Sequence, residues 1–187
     1  MTNIIEAIQK KLGYPALEKI DPNIQETRDK PLRTTEEKLA QSAIPVVLAG
    51  FYKYTSTDEG ASVLLNTGRE VNWLDEIFGD QKQVAVEKVA HYAGVSADEA
   101  IADMEQIARE ASQLIKEIGG EKRSAEKIKT FMGNHRHNIL VYLPAALQAG
   151  YVLDDNAIDD RTNKMEGPVS SFMHSIEDKL AGGRGRS

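Results

Sequence analysis

Apolar positions recur with helical spacing along most of this chain, and the clearest case spans residues 80–118. Val86, Val89, Ala90 and Ala93 fall at i, i+3, i+4 and i+7, one face of a helix that Gly94 ends. Asp80, three residues before Gln83, is the N-cap this pattern predicts. Ser96-x-x-Glu99 then makes a capping box. Ala97, Ala100, Ile101, Met104, Ile107, Ala108, Ala111, Leu114, Ile115 and Ile118 carry the next apolar stripe as far as Gly119-Gly120. At about 1.5 Å per residue that helix is about 35 Å long, enough to cross the domain as its spine.

Upstream, Ile4, Ile5, Ile8 and Leu12 form a short amphipathic helix stopped by Gly13 and Pro15. With Lys10 and Lys11 at its edge it could lie on a membrane surface, but its small apolar face favours docking on the domain or a partner. Residues 21–33 hold two prolines and mixed charge and read as a linker, so the compact domain is expected to begin after it. Thr34-x-x-Glu37 opens a helix through Tyr54. Its middle, residues 43–51, is apolar on every side and predicts burial all round, with a bend or break at Pro45. Ser56-x-x-Glu59 caps a helix bearing Ala61, Val63, Leu64 and Leu65, and Asn72 to Phe78 is a short turn anchored by Trp73, Ile77 and Phe78.

Towards the C-terminus, Ser124 to Met132 is expected as a short helix ended at Gly133-Asn134. Residues 138–149 read as a second all-apolar helix with Pro144 inside, sharing Pro-x-x-Leu with the Pro45 region. Asp154 to Lys164 is an acidic connection, and Pro168 opens a last helix with Val169, Phe172, Met173, Ile176 and Leu180 on one face. The whole predicts an all-α, compact multihelical array of about eight or nine helices, containing a helix-turn-helix-like tri-helical element. Three parts are expected: 1–33, an amphipathic helix and linker; 34–150, the helical domain; and 151–187, the acidic connection, last helix and tail.

Two blocks within residues 36–120 carry a resemblance. The first is Ala43-Ile-Pro-Val-Val-Leu-Ala-Gly50, followed by Ser56-x-x-Glu-Gly-Ala61 and Leu64-Leu65. The second is Ile77-Phe-Gly79, Val86, Val89-Ala90, Gly94-Val-Ser96 and Ala100 with its long helix. Their order and spacing resemble the bacterial YidB-like family, a domain family of unknown function. The resemblance implies a compact multihelical fold, and the family has no established activity or catalytic residues to carry over.

Composition removes several classes of function. A net charge of −6 argues against a general nucleic-acid binder and against attraction to anionic lipid. The absence of cysteine excludes thiol catalysis, disulfides and thiolate metal sites. No apolar run approaches the roughly 18 residues that span a bilayer, and no signal-peptide core is evident, so cytoplasm is the expected compartment.

Val89-Ala-His-Tyr-Ala-Gly-Val-Ser96 is similar to the helix-turn-helix of lac-repressor-type proteins. In a DNA reader, the first turn of the second helix meets bases and phosphates. Here that turn offers Asp98, Glu99 and Asp103, which repel phosphate but suit the positive end of a helix dipole. His135 and His137 stand at i, i+2, diverging on a helix rather than converging on a metal, and are expected to face solvent at a helix start. His91 falls on a polar face, and His174 lies between core positions of the last helix. Asp155 to Glu166 has the length of an EF-hand loop, but Ala157 and Asp160 stand where a ligand and a glycine belong. Gly119-Gly120-Glu121-Lys122 lacks the phosphate-loop ending.

No catalytic, cofactor-binding or metal residue is therefore expected. The sequence points to a non-enzymatic helical interaction or structural module, with a helical partner that includes a second copy in a homodimer. The alternatives are DNA binding through residues 80–110 and a ligand-binding or hydrolytic bundle.

Overall fold

An unbroken run of buried residues, Leu39 to Phe51, occupies a single helix at the centre of the molecule. The computed structural model describes residues 3–21, 23, 27, 31–32, 34–67, 71–118 and 124–153. The chain is all-α over these residues, in the order α1 (Ile4–Leu12), α2 (Thr35–Tyr54), α3 (Asp58–Asn66), α4 (Trp73–Phe78), a 3-10 turn (Gly79–Gln81), α5 (Lys82–Ala93), α6 (Ala97–Ile118), α7 (Ala125–Leu140), a second 3-10 turn (Ala145–Leu147) and α8 (Ala149–Leu153). The 168–180 stripe, the acidic connection and His174 lie outside the described residues.

Six of the other helices pack on α2: α1, α4, α5, α6, α7 and α8. This explains why α2 has no polar face between Leu39 and Phe51, since every direction meets a neighbour. Its start is the capping box that Thr34 and Glu37 announce, with Glu37 N–H on the Thr34 hydroxyl at 3.1 Å and Thr34 N–H on the Glu37 carboxylate at 3.0 Å. Pro45 does not break the helix. An interior proline costs about 3 kcal/mol by removing one backbone donor and crowding the carbonyl four residues back. Burial on both sides of Pro45 outweighs that cost.

The expected spine, α6, is a single helix over Ala97–Ile118, started by the Ser96 hydroxyl accepting from Glu99 N–H at 3.2 Å. It is amphipathic rather than central. Ala100, Met104, Ile107, Ala108, Ala111 and Ile115 are buried, while Asp98, Glu99, Gln106 and Arg109 face solvent. The hub is therefore α2, and α6 is one wall around it.

Several local readings are corrected. The cap of α3 is Thr57, whose hydroxyl accepts from Gly60 N–H at 3.1 Å, whereas Ser56 bonds back to the Lys53 carbonyl at 2.6 Å. Asp80 does not cap α5, because it lies within the 3-10 turn Gly79–Gln81. Gly133-Asn134 does not stop α7, which runs to Leu140. Ile128, Met132, His135 and Ile139 stay on one buried face across the glycine, and that burial offsets a mid-helix glycine penalty of about 1 kcal/mol. Residues 138–149 are not one helix. Pro144 is extended (φ −63°, ψ 133°) and Gln148 adopts φ 46°, so a 3-10 turn and α8 replace the expected element. Pro45 and Pro144 thus sit in different conformations.

The first helix belongs to the core. Ile4, Ile5 and Ile8 are at most 2% exposed, packed on α6 and α2. The compact region therefore includes α1 rather than beginning after residue 33, and α1 presents no stripe awaiting a second chain. A strap then ties three elements together. Tyr14 hydroxyl reaches Asp103 on α6 at 2.8 Å. Gln41, fully buried on α2, accepts from Glu18 N–H at 2.8 Å and donates to Glu18 O at 2.9 Å and Tyr142 O at 2.6 Å. Ile20 N–H closes on the Val141 carbonyl at 2.9 Å.

Candidate functional site

Buried polar groups are where chemistry would be found, so their partners decide what each can do. Ser42 hydroxyl is spent on the Lys38 carbonyl, Thr55 on Phe51 and Ser112 on Arg109, all at 2.7–2.8 Å and within their own helices. Gln41 is consumed by the strap. His135, 3% exposed, sets Nδ1 2.9 Å from the Phe131 carbonyl and its ring 4.1 Å from the Phe131 ring. This overturns its expected solvent position: the continued α7 period turns position 135 inward. His137, two residues on, is exposed, so the pair diverges as i, i+2 spacing requires. Among the described residues, no group of three or more His, Asp or Glu side chains is arranged to hold a metal ion.

The α5–α6 corner forms as its sequence predicts. Gly94 takes φ 74°, and the N–H groups of Gly94 and Val95 both return to the Ala90 carbonyl, at 2.8 and 3.0 Å. Acidic and paired groups surround the corner. Asp98 and Glu99 are exposed at the start of α6, Asp103 carries the Tyr14 hydroxyl, and Glu110 pairs with Lys11 at 2.7 Å. The face that would enter a groove is acidic, and α1 with its strap lies along it. Tyr14 itself is pushed well above the ordinary tyrosine range, first by burial, then by its hydrogen bond and proximity to Asp103 and by Glu36. A dent of about 210 Å³ lies between α1 and α6, lined by Leu12, Gln106, Arg109 and Glu110.

The feature that sequence reasoning missed is Glu105 on α6. One of its carboxylate oxygens is buried without a hydrogen-bond partner. Burial pushes its carboxyl above the usual range and Asp75 adds to that, while Lys82, Arg109 and the Leu74 backbone N–H pull it down. Its signal was legible only in hindsight of the helix face: Glu105 lies between Ile101 and Ala108, four and three residues away, on the flank of the apolar stripe. Nearby, Trp73 at the head of α4 is 1% exposed, 5.5 Å from the Phe51 ring and under Lys116 Nζ at 5.4 Å from its centroid. These contacts build an interior.

Among the described residues, no helix is long and apolar enough to cross a membrane. No protein-family model, curated protein or solved structure matches this chain.

Proposed function

We propose that the chain is a non-enzymatic interaction or structural module working through helix-on-helix contact, a YidB-like helical unit over residues 36–120. The observation that carries this reading is the seat of α1. A nine-residue helix, too short to be stable alone, lies with Ile4, Ile5 and Ile8 fully covered by α2 and α6 and its Lys11 paired to Glu110. That is helix-in-groove recognition, performed within one chain. The sequence spacing of Val169, Phe172, Met173, Ile176 and Leu180 predicts an apolar stripe of the same chemistry, and we assign it to a second copy or another helical protein in the cytoplasm.

A homodimer is the arrangement to test first. Light scattering on the full chain is expected to give twice the monomer mass, and Phe172→Glu with Ile176→Glu is expected to return it to the monomer. A wild-type monomer at every concentration would remove the homodimer.

The second reading, DNA binding through residues 80–110, draws support from the Gly94–Ser96 corner and loses it to the acidic, strap-covered face. Titration with duplex DNA at low salt is expected to show no saturable binding. Binding that weakens steeply with added salt would reverse that judgement.

A further inference from the structure

The α4 turn is pinned on both flanks, and Glu105 on α6 lies near its Leu74 and Asp75. On one side Asp75 is bridged by Lys82 at 2.8 Å, and on the other Glu76 accepts from the Tyr54 hydroxyl at 2.9 Å. Beneath, the turn packs on α2 and α6. There a carboxylate oxygen of Glu105 is shut away from water with nothing to accept from. A charge in that position loses hydration that Lys82, Arg109 and the Leu74 backbone N–H replace only in part, a penalty that vanishes when the group is neutral.

We propose that Glu105 is a pH-sensitive latch between α4 and α6: the turn seats tightly when the carboxyl is neutral and loosens when it is ionised. This goes beyond the interaction reading and does not depend on it. The charged groups acting on Glu105 are Asp75 from α4, Lys82 from the start of α5 and Arg109 one turn along α6. Glu76 and Tyr54, from α4 and α2, engage each other. Lys82, Arg109 and the Leu74 backbone N–H favour the ionised form, yet burial outweighs them and the carboxyl is raised. The sign follows from linkage. A carboxyl raised in the folded state binds more protons there than in the unfolded chain. Its contribution is therefore fully present below the ordinary glutamate value of about 4.3 and is lost as pH rises through the folded value.

Trp73 makes the test direct, because the chain has one tryptophan and it opens α4. Amide-exchange protection at residues 73–78 and Trp73 emission are followed from about pH 4 to about pH 7. In the wild type, protection is expected to fall several-fold across this range, with emission shifting towards the exposed indole. In Glu105→Gln both readouts are expected to stay flat and to match the acidic wild type, and Glu105→Ala is expected to flatten the profile as well. Parallel profiles in the wild type and both variants would overturn the latch. Lower protection in Glu105→Gln at every pH would overturn it too, by showing that the ionised carboxylate is a needed acceptor.

Discussion

Gly60→Ala is expected to lower stability by about 3–4 kcal/mol, at the upper end of what overpacking costs. A Cβ at position 60 would stand 2.0 Å from the Tyr54 carbonyl oxygen and 2.9 Å from its carbon. Both are backbone atoms at the end of α2, so no side-chain rotation relieves the clash. Relief requires the 54–57 turn to open, and that turn also carries the Thr57 cap of α3. The check is urea unfolding, with a thermal midpoint expected to drop by about 10 °C at this chain size. Gly133→Ala is the matched control. Gly133 is also helical, but a Cβ there meets nothing within 4 Å. It is expected to gain about 0.5–1 kcal/mol from reduced unfolded-state freedom and better helix propensity. Equal effects at the two glycines would mean that close approach is not what position 60 requires.

Gln41→Leu is expected to cost about 3 kcal/mol, close to isosteric in volume but without the amide. Three hydrogen bonds go at once, leaving Glu18 N–H, Glu18 O and Tyr142 O unpaired. An unsatisfied buried group costs about 1–3 kcal/mol, and water entering behind the strap recovers part of the sum. The pattern matters as much as the size. Amide exchange is expected to accelerate at residues 18–20 and 141–143, the two segments the amide joins, before it changes in the middle of α2. Uniform acceleration across the molecule would show that the substitution disturbs packing generally instead of releasing the strap.

The helices with strong local signals were legible from the chain. The Thr34 capping box, the αL glycines at 13 and 94 and the 97–118 stripe appear where their residue types place them. Each is decided by contacts within a few residues, so neighbours in sequence suffice. The errors share a cause as well. Gly133-Asn134 has the composition of a helix stop, yet the buried positions 128, 132, 135 and 139 keep their period across it. Pro45 and Pro144 are the same residue in similarly apolar company. One is held helical by neighbours on every side, while the other lies at the end of α7, where the chain turns into extended backbone.

The candidate site was less legible than the fold. His135 seemed exposed because its helix was started too late. Glu105 drew no notice in the sequence because α4, which sets Leu74 and Asp75 near it, is six residues long and far from it along the chain.

By itself the sequence determined that the chain is helical, where most helices begin and which faces are apolar, since caps, periodicity and glycine placement act locally. Only the tertiary structure decided that α2 is the hub, that α1 and its strap pack on α6, and that one carboxylate oxygen of Glu105 is buried. Those outcomes depend on which helices meet, and burial is a property of the meeting, not of either helix alone.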